Sequence, residues 1–396
     1  MNATVLASAL SFADVYGPAH AYAPRAHDRA CDWISRDPML LDSITGNQLP
    51  VLGAMPLVCS EGFNSPDGLE LLVEAGLEPA ATRFHYTAGG SVAAAKQAAR
   101  LTRGKLVVQH VYPADELPTG TEWIAPDLLR YLNNKAKLAE LTPAGHVPPR
   151  RIVDRATFFV QQPPALPVVL KAVTEQSTGG GAAVMICRTQ ADLATAALTF
   201  AQCEQLVIEE LLDILRNPCL HFAVMPSGRV KYLGFAEQDV TENGKYRGNW
   251  IELDATLPRE VVNIAQEVLQ RAADLGYRGI AGVDMVVTRD GLIYVLDLNF
   301  RVNGSTAAVM LVPALLEDRG NQIAHLRSFK GKMTASAMVA AARSAVHRGQ
   351  LVPMSLFDPI LAGYSNQPPV LRAMVIGLSN DEVLAIEAEL TASGLS

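Results

Sequence analysis

The sequence predicts a mixed α/β (α+β) protein in which an N-terminal α/β unit precedes a larger part built around one antiparallel hairpin. Strand-like and helix-like segments alternate with short connections over residues 1–126, which is typical of a parallel sheet covered by helices. Further along, two apolar runs flank Asp290-Gly291, a dipeptide typical of tight hairpin turns. With 49% hydrophobic and 18% charged residues, the 396-residue chain can bury a large core, which excludes a disordered protein.

The spacing from this turn predicts that two acids share one cross-strand pair. If Asp290-Gly291 form a two-residue loop, Asp284 faces Asp297. Strand alternation then puts Asn299 and Arg301 on the same face as the two acids. The opposite, apolar face comprises Val283, Met285, Val287, Leu292, Tyr294, Leu296 and Leu298. Paired like charges destabilise a sheet, so we expect a cation between them, and Mg2+ prefers such oxygen ligands. Two solvated acids on a surface hairpin are the alternative.

The runs Gly282-Val-Asp284 and Val295-Leu-Asp-Leu-Asn-Phe-Arg301 resemble the metal-binding hairpin of the ATP-grasp ligases, where an acid faces an acid-x-Asn-x-Arg run. That family usually has Glu where this chain has Asp297, and often Pro where it has Phe300. The resemblance implies an ATP-grasp fold with an N-terminal, Rossmann-like pre-ATP-grasp α/β domain. It also implies ATP and one or two Mg2+ ions as cofactors, with Mn2+ as a substitute, and assigns Asp284, Asp297 and Asn299 as metal ligands.

Two lysines and a glycine loop lie upstream in the order found in this family. Lys135 lies on a predicted helix, 127–141, and Lys171 lies inside the apolar strand 167–173. Gly179, Gly180 and Gly181 lie in the loop 176–181 that follows that strand, where backbone amides can approach phosphates closely. The resemblance implies that all five residues bind the nucleotide. A snorkelling Lys171 on an edge strand and a linker role for the glycines are the alternatives.

The remaining candidate residues also follow from the resemblance. The strand 205–212 ends in acids, and the family match implies that Glu209 and Glu210 bracket the adenine amino group while the Leu212 amide meets a ring nitrogen. Arg301 is expected to steady the transferring phosphoryl group or an oxyanion. The polar stretch 237–248 is expected to lack regular structure, as binding loops tend to do. Its Lys245 and Arg247 are candidates to neutralise the reacting phosphate or orient a carboxylate, with a solvated loop as the alternative.

The composition of the chain argues against some classes of binding partner. A net charge of −7 argues against nucleic acid or an anionic membrane as the main partner. The five cysteines show no metal-ligand spacing, which favours a reducing, cytoplasmic location. The start of the chain, residues 1–10, lacks the basic beginning of a signal peptide and reads as a first strand. The resemblance implies small carboxylate and amine substrates, amino acids among them, and a homodimer is common in the family.

The predicted organisation has four parts. Residues 1–126 form the pre-ATP-grasp domain, 127–204 and 205–325 form the two ATP-grasp subdomains, and 326–396 form a C-terminal extension covering the site. The resemblance implies an ATP-dependent ligase that activates a carboxylate as an acyl phosphate, releases ADP and forms an amide or peptide bond. Among known types, the chain looks most like the pheganomycin-type peptide ligases of natural-product pathways. A thioester ligase acting on a carrier protein or coenzyme A, a carboxylase using carboxyphosphate and a non-catalytic nucleotide-binding protein are the alternatives.

Overall fold

The structure is a computed structural model, and it describes residues 5–29, 31, 37–161, 165–175, 183–241, 246–320 and 322–396. Three sheets organise these residues: two of four strands and one of nine. In the described part of the chain, no helix combines the length and the apolar character needed to cross a membrane.

The N-terminal sheet is parallel, with strand order β3-β2-β1-β4. Its strands are β1 Ala21–Ala23, β2 Leu57–Ser60, β3 Arg83–Tyr86 and β4 Leu106–Val108. The helices of this unit are α1 Phe12–Tyr16, α2 Pro38–Asp42, α3 Pro66–Glu74 and α4 Ser91–Thr102. Ser65 caps α3, and Pro66 fills its first position, where a missing N–H costs nothing. This confirms the predicted parallel α/β unit, but the first strand is wrong: residues 5–10 form no strand, and residues 1–4 lie outside the described part.

The second sheet is small and antiparallel, with strand order β5-β8-β6-β7. Its strands are β5 Arg150–Asp154, β6 Val168–Val173, β7 Val184–Cys187 and β8 Gln205–Glu210. The helices before and between them are α5 Pro126–Asn133, α6 Leu138–Leu141, α7 Arg155–Gln161 and α8 Gln190–Thr199. The predicted single helix 127–141 is wrong, because Asn134 is extended and a short 3-10 turn, Lys135–Lys137, separates α5 from α6.

The third sheet joins the hairpin region to the C-terminal part of the chain. Its main path runs β14-β13-β10-β11-β12-β15-β17-β16, and β9 pairs with β13. The strands are β9 Ile214–Arg216, β10 Pro218–Val224, β11 Val230–Val240, β12 Tyr246–Glu252, β13 Gly279–Thr288, β14 Ile293–Asn299, β15 Ile323–Lys330, β16 Leu351–Phe357 and β17 Val370–Gly377. Its helices are α9 Arg259–Asp274, α10 Thr306–Arg319, α11 Ala335–His347 and α12 Asn380–Ala392.

Two features of these sheets bear on the predicted organisation. Strand β8 begins at the predicted boundary between 204 and 205 yet pairs with β5 and β6 of the small sheet. Strands β15, β16 and β17 continue the nine-stranded sheet through the β12–β15 pairing.

The polar stretch 237–248 was expected to lack regular structure, but 237–240 belong to β11 and 246–248 to β12. The division into four domains stays a prediction.

The central hairpin has the predicted acid pair but not the predicted turn. Thr288 N donates to Leu292 O and Gly291 N donates to Thr288 O, so the loop is the three residues 289–291. Gly291 has φ +88°, the left-handed conformation that glycine adopts without strain. Three-residue hairpin loops of this kind shift the pairing by one residue relative to a two-residue loop.

A β-bulge near the acids shifts the pairing back. Met285 pairs with Val295 whereas Asp284 pairs with Asp297, so Leu296 is the extra residue. The apolar face therefore changes sides at the bulge. Val295 packs in the core with Val283, Met285 and Leu298, whereas Leu292 is exposed, which corrects the predicted face.

Candidate active site

The site forms where the β13–β14 hairpin meets the small sheet. The Asp284–Asp297 cross-strand pair is at its centre, as the spacing predicted. Lys135 and Lys171 reach the same place from the turn after α5 and from β6. A small cleft lies between the hairpin and the small sheet, and its lining includes Asn134, Lys135, Arg150, Lys171, Glu209 and Asp297. The structure therefore brings together two acids and two lysines from distant parts of the sequence.

Lys135 neutralises one of the acids. Its Nζ lies 2.6 Å from Asp297 Oδ2, and both side chains are largely buried. Although burial raises the pKa of Asp297, the ammonium groups of Lys135 and Lys171 outweigh that effect and hold the pKa below its usual range. Asp297 is therefore a carboxylate at neutral pH.

Asp284 is held by neutral donors instead. Gln238 Nε2 donates to its Oδ1 and Asn299 Nδ2 to its Oδ2, each at 2.9 Å. Burial, followed by the negative charge of Asp297, raises the pKa of Asp284. A carboxylate in this position lacks a direct cationic partner among the described residues, and a divalent ion between the two acids would supply one.

The donor set fits magnesium in type. Asp284, Asp297 and Asn299 offer two carboxylates and an amide, all hard oxygen ligands. Nowhere in the described ranges do three or more His, Cys, Asp or Glu side chains gather as a self-sufficient metal site. Mg2+ is usually held by one or two carboxylates together with substrate phosphates, which is the number of carboxylates that this pair offers.

Lys171 is buried, and the bulge in β14 supplies a hydrogen-bond acceptor for its ammonium group. Its Nζ lies 2.6 Å from Glu209 Oε2 and donates to Leu296 O at 2.7 Å. A bulge residue does not take part in the regular ladder, so the extra residue Leu296 presents its carbonyl to the lysine. Burial lowers the pKa of Lys171, and the Glu209 carboxylate opposes that shift. The snorkelling alternative is wrong, because Lys171 is only 5% exposed.

Glu209 is a counter-ion in this structure. Its carboxylate is buried between Lys171 and Arg150, whose Nη1 lies 3.6 Å from Oε1. Arg150 also donates from Nη2 to Lys135 O at 2.6 Å, so it links β5 to the turn that carries Lys135. Glu210 is exposed, and Leu212 lies just beyond β8. Adenine recognition by Glu209, Glu210 and Leu212 stays a prediction.

Arg301 extends the site beyond β14. Its Nη2 donates to Asn299 Oδ1 at 2.7 Å and its Nη1 to Asn303 Oδ1 at 3.3 Å. Asn303 fits because Gly282 has no side chain: a Cβ there would lie 1.6 Å from Asn303 Nδ2. Gly282 pairs with Asn299 in the ladder, so this glycine sets the distance between the hairpin and the turn that follows it.

Among the other predicted residues, Arg247 does not join this cluster. Arg247 is an exposed side chain that pairs with Asp239 at 2.6 Å. Lys245 and the glycine loop of Gly179, Gly180 and Gly181 lie outside the described residues. Sequence reasoning missed Arg150 and Gln238, whose roles depend on long-range contacts with Glu209 and Asp284.

The fold agrees with solved ATP-grasp proteins. N5-carboxyaminoimidazole synthetase from Staphylococcus aureus, complexed with ADP, matches with a TM-score of 0.57 and 12% identity, over 98% of this chain and 100% of that one. The L-amino acid ligase from Bacillus licheniformis matches with a TM-score of 0.55 and 13% identity, over 94% and 97%. At such low identity these likenesses show the fold alone.

Two family models match the sequence itself. The N-terminal domain of L-aspartate–L-methionine ligase matches residues 11–130, and the ATP-grasp domain of the same ligase matches residues 148–299. The chain belongs to the ATP-grasp carboxylate–amine ligases. This ligase binds ATP and uses it to join a carboxylate to an amine, with amino acids as its class of substrate. The predicted family, fold and reaction type are confirmed.

Proposed function

We propose that this ligase joins L-aspartate to L-methionine, through an acyl phosphate and with release of ADP and phosphate. The observation that carries the proposal is the convergence of Lys135 and Lys171 on the Asp284–Asp297 pair, at a cleft between two sheets. The choice of amino acids is supported by the description of both matched family models. The likeness to pheganomycin-type ligases, a homodimer and a cytoplasmic location stay predictions.

In binding MgATP, the acids would hold the metal ion and the lysines would contact the phosphates. Phosphoryl transfer depends chiefly on positioning and charge neutralisation. Asp284, Asp297 and Asn299 would hold one or two Mg2+ ions, which supply much of that neutralisation. Lys135 would leave Asp297 for the nucleotide phosphates, and Lys171 already lies at the cleft wall, held by Glu209 and Leu296.

The first chemical step would make the carboxylate electrophilic. A carboxylate oxygen attacks the γ-phosphorus of ATP, the bond to the bridging oxygen breaks, and ADP leaves with the electron pair. Arg301 is placed beside Asn299, where its guanidinium can stabilise the transferring phosphoryl group. Gly179, Gly180 and Gly181 would shield the mixed anhydride from water.

The second step would form the amide. The free amine of the second amino acid attacks the acyl carbon, the carbon–oxygen bond to phosphate breaks, and phosphate departs while the amine nitrogen loses a proton. Arg301 is the candidate to stabilise the oxyanion of this step. Lys245 and Arg247 are secondary candidates for orienting a carboxylate. Glu209, Glu210 and Leu212 are assigned to the adenine side of the site.

The test is a reconstitution with defined substrates. The purified protein is incubated with MgATP, L-aspartate and L-methionine, and the nucleotides and the dipeptide are measured by chromatography and mass spectrometry. We expect one ADP and one phosphate for each dipeptide, and a hydroxamate when hydroxylamine replaces methionine. Formation of AMP and pyrophosphate, or a dipeptide from other amino acids only, would contradict the proposal.

A variant pair in the same hairpin supplies the control. Asp297→Asn removes one acid of the central pair and is expected to abolish turnover. Asp290→Asn changes an exposed aspartate in the turn of that hairpin and is expected to leave turnover within about twofold, as surface substitutions usually do. Equal activity of the two variants would contradict the assignment of Asp297.

A further inference from the structure

Two guanidinium groups flank the turn that follows β14. Arg301 approaches it through the Asn303 side chain, as described above. Arg372, in β17 of the C-terminal part, approaches from elsewhere, and its Nη2 donates to Gly304 O at 2.9 Å. The central acid pair is linked to this turn through Asn299 and Arg301. Arg372 therefore lies one turn away from the reacting groups, although it is 68 residues from Gly304 in sequence.

Arg372 is held in place by neutral groups. Its Nη1 donates to Ser328 Oγ at 3.3 Å, in addition to the bond to Gly304 O. Among the residues that the structure describes, no carboxylate lies within 4.0 Å of a nitrogen of Arg372 or of Arg301. The Tyr246 hydroxyl also hydrogen-bonds the Arg372 guanidinium. A guanidinium has five N–H donors, so Arg372 keeps donors for a ligand while these three neutral contacts fix its position.

The space over Gly304 is lined by hydrogen-bonding groups. A Cβ at Gly304 would lie 3.4 Å from Arg372 Nη2 and 4.0 Å from Tyr246 Oη. These are van der Waals distances, so the guanidinium and the phenol approach the backbone of this turn closely. The Arg372 guanidinium is partly exposed at this turn, and its remaining donors favour an anionic ligand there.

A helix N-terminus at the same turn adds positive potential. Helix α10 starts at Thr306, directly after Ser305, and no side chain caps its first N–H groups. Instead, the hydroxyls of Ser305 and Thr306 bond to His221, at 3.0 and 3.2 Å. Uncapped N–H groups at the start of a helix attract anions. Arg372 and α10 are thus two independent features that favour a negative charge at this turn.

We propose that Arg372 binds the α-carboxylate of the amino acid that supplies the amine. This proposal rests on the proposed function, in which the second amino acid keeps an ionised α-carboxylate throughout the reaction. Arg301 contacts Asn299 of the central site and is assigned to the reacting groups. Arg372 lies beyond Gly304, where the non-reacting end of the second substrate would extend. The site would then select amino acids with a free carboxylate over their amides and esters.

The experiment compares L-methionine with L-methioninamide in wild-type protein and in Arg372→Gln. Charge-assisted hydrogen bonds to a carboxylate predict a rise of about 10- to 100-fold in the KM for methionine in the variant. The KM values for ATP and aspartate should change less than about twofold, and the kinetics with methioninamide should stay the same. Arg372→Lys keeps the charge and should fall between the two, because it loses the planar pair of donors.

Arg343→Gln is the matched control. It removes a guanidinium from α11 of the same C-terminal part, where Arg343 pairs with Glu70 and Glu74 on α3. It should leave the preference for methionine over its amide unchanged. A loss of folding alone would lower activity with both amines, whereas the proposal predicts that only methionine is affected.

The outcomes separate this proposal from the proposed function. An unchanged ratio of methionine to methioninamide in Arg372→Gln overturns the role of Arg372, and so does a rise confined to the KM for aspartate. Failure of the wild-type protein to form hydroxamate or dipeptide overturns the proposed function instead. In that case, calorimetric binding of methionine and methioninamide to both proteins still decides: weaker methionine binding in Arg372→Gln supports the assignment, and equal binding overturns it.

Discussion

Lys135 Nζ lies 2.6 Å from Asp297 Oδ2, so an ammonium occupies the contact that a metal ion would make with this carboxylate. We expect free divalent ions to compete with Lys135 for Asp297 when no nucleotide is bound. Binding of the nucleotide would remove that competition, because its phosphates attract the lysine. Metal and ATP should therefore bind in a strongly coupled manner.

Substitution of Lys135 by methionine tests this competition. Without its charge, Asp297 should bind Mn2+ about tenfold more tightly in the absence of ATP, since one charge-assisted contact is lost. ATP affinity should fall in the same variant, because a phosphate partner is missing. Electron paramagnetic resonance of free Mn2+ and calorimetry with ATP measure the two effects. Lys137→Met is the control, since Lys137 pairs with Glu140 on the surface.

The buried Lys171–Glu209 pair predicts a large effect on stability. Glu209→Gln leaves the Lys171 ammonium without its carboxylate, which should lower the free energy of unfolding of the small-sheet region by about 3 kcal/mol. The neighbouring substitution Glu210→Gln affects an exposed side chain and should change the free energy of unfolding by less than about 0.5 kcal/mol. Denaturant unfolding of the two variants provides the comparison, and similar midpoints would show that the pair does not stabilise the sheet.

His221 predicts a loss of stability in mild acid. Burial lowers the pKa of His221 to about 3, whereas an unfolded histidine titrates near 6.5. Between these values the unfolded chain binds a proton that the folded chain does not, so stability falls as pH drops through this window. The loss should be about 1.4 kcal/mol for each pH unit below 6.5.

The measurement is urea unfolding at pH 7.5 and pH 5.5 for wild type and His221→Gln. Glutamine offers one donor and one acceptor to Ser305 and Thr306 but does not titrate, so the variant should lack this part of the pH dependence. An equal slope in both proteins would rule out His221 as its source.

Gly282→Ala should distort the site without touching a charged residue. The new methyl group would lie 1.6 Å from Asn303 Nδ2, so Asn303 must move away from Cys219 and Arg301. We expect a loss of about 1–3 kcal/mol in stability, as for other overpacked sites, and reduced turnover. If the clash is the cause, Asn303→Ala should restore most of the stability in the double variant, and thermal unfolding of both single variants and the double variant measures that coupling.

The hairpin shows how far sequence reasoning reaches. The Asp284–Asp297 pairing was predicted from a two-residue turn, yet the structure has a three-residue turn and a bulge at Leu296. The turn and the bulge each shift the strand register by one residue, and the two shifts cancel at the acids. The predicted acid pair was therefore right, whereas the predicted apolar face between the bulge and the turn was wrong. Neither shift has a clear local signal, since Asp-Gly suits both turn lengths.

Residues that act over long sequence distances could not be found from local patterns. Lys135 and Lys171 were predicted from their resemblance to a family, but Arg150, His221 and Arg372 carry no motif. Their roles follow from the contacts with Glu209, with Ser305 and with Gly304, and these appear only once the sheets are assembled. The predicted helix 127–141 failed for the opposite reason, because a local break at Asn134 places Lys135 against the hairpin.

The continuous pairing from β14 through β12 and β15 to β16 has a mechanical consequence. The hairpin and the C-terminal strands therefore belong to one continuous larger sheet. Bending this sheet would require many inter-strand hydrogen bonds to break. Strands β5 to β8 form a separate sheet, joined to that larger sheet near the reacting groups by the Lys171–Leu296 hydrogen bond. We therefore expect the smaller sheet to rotate relative to the larger one when nucleotide enters and leaves, with the Lys171–Leu296 hydrogen bond holding the two together between turnovers.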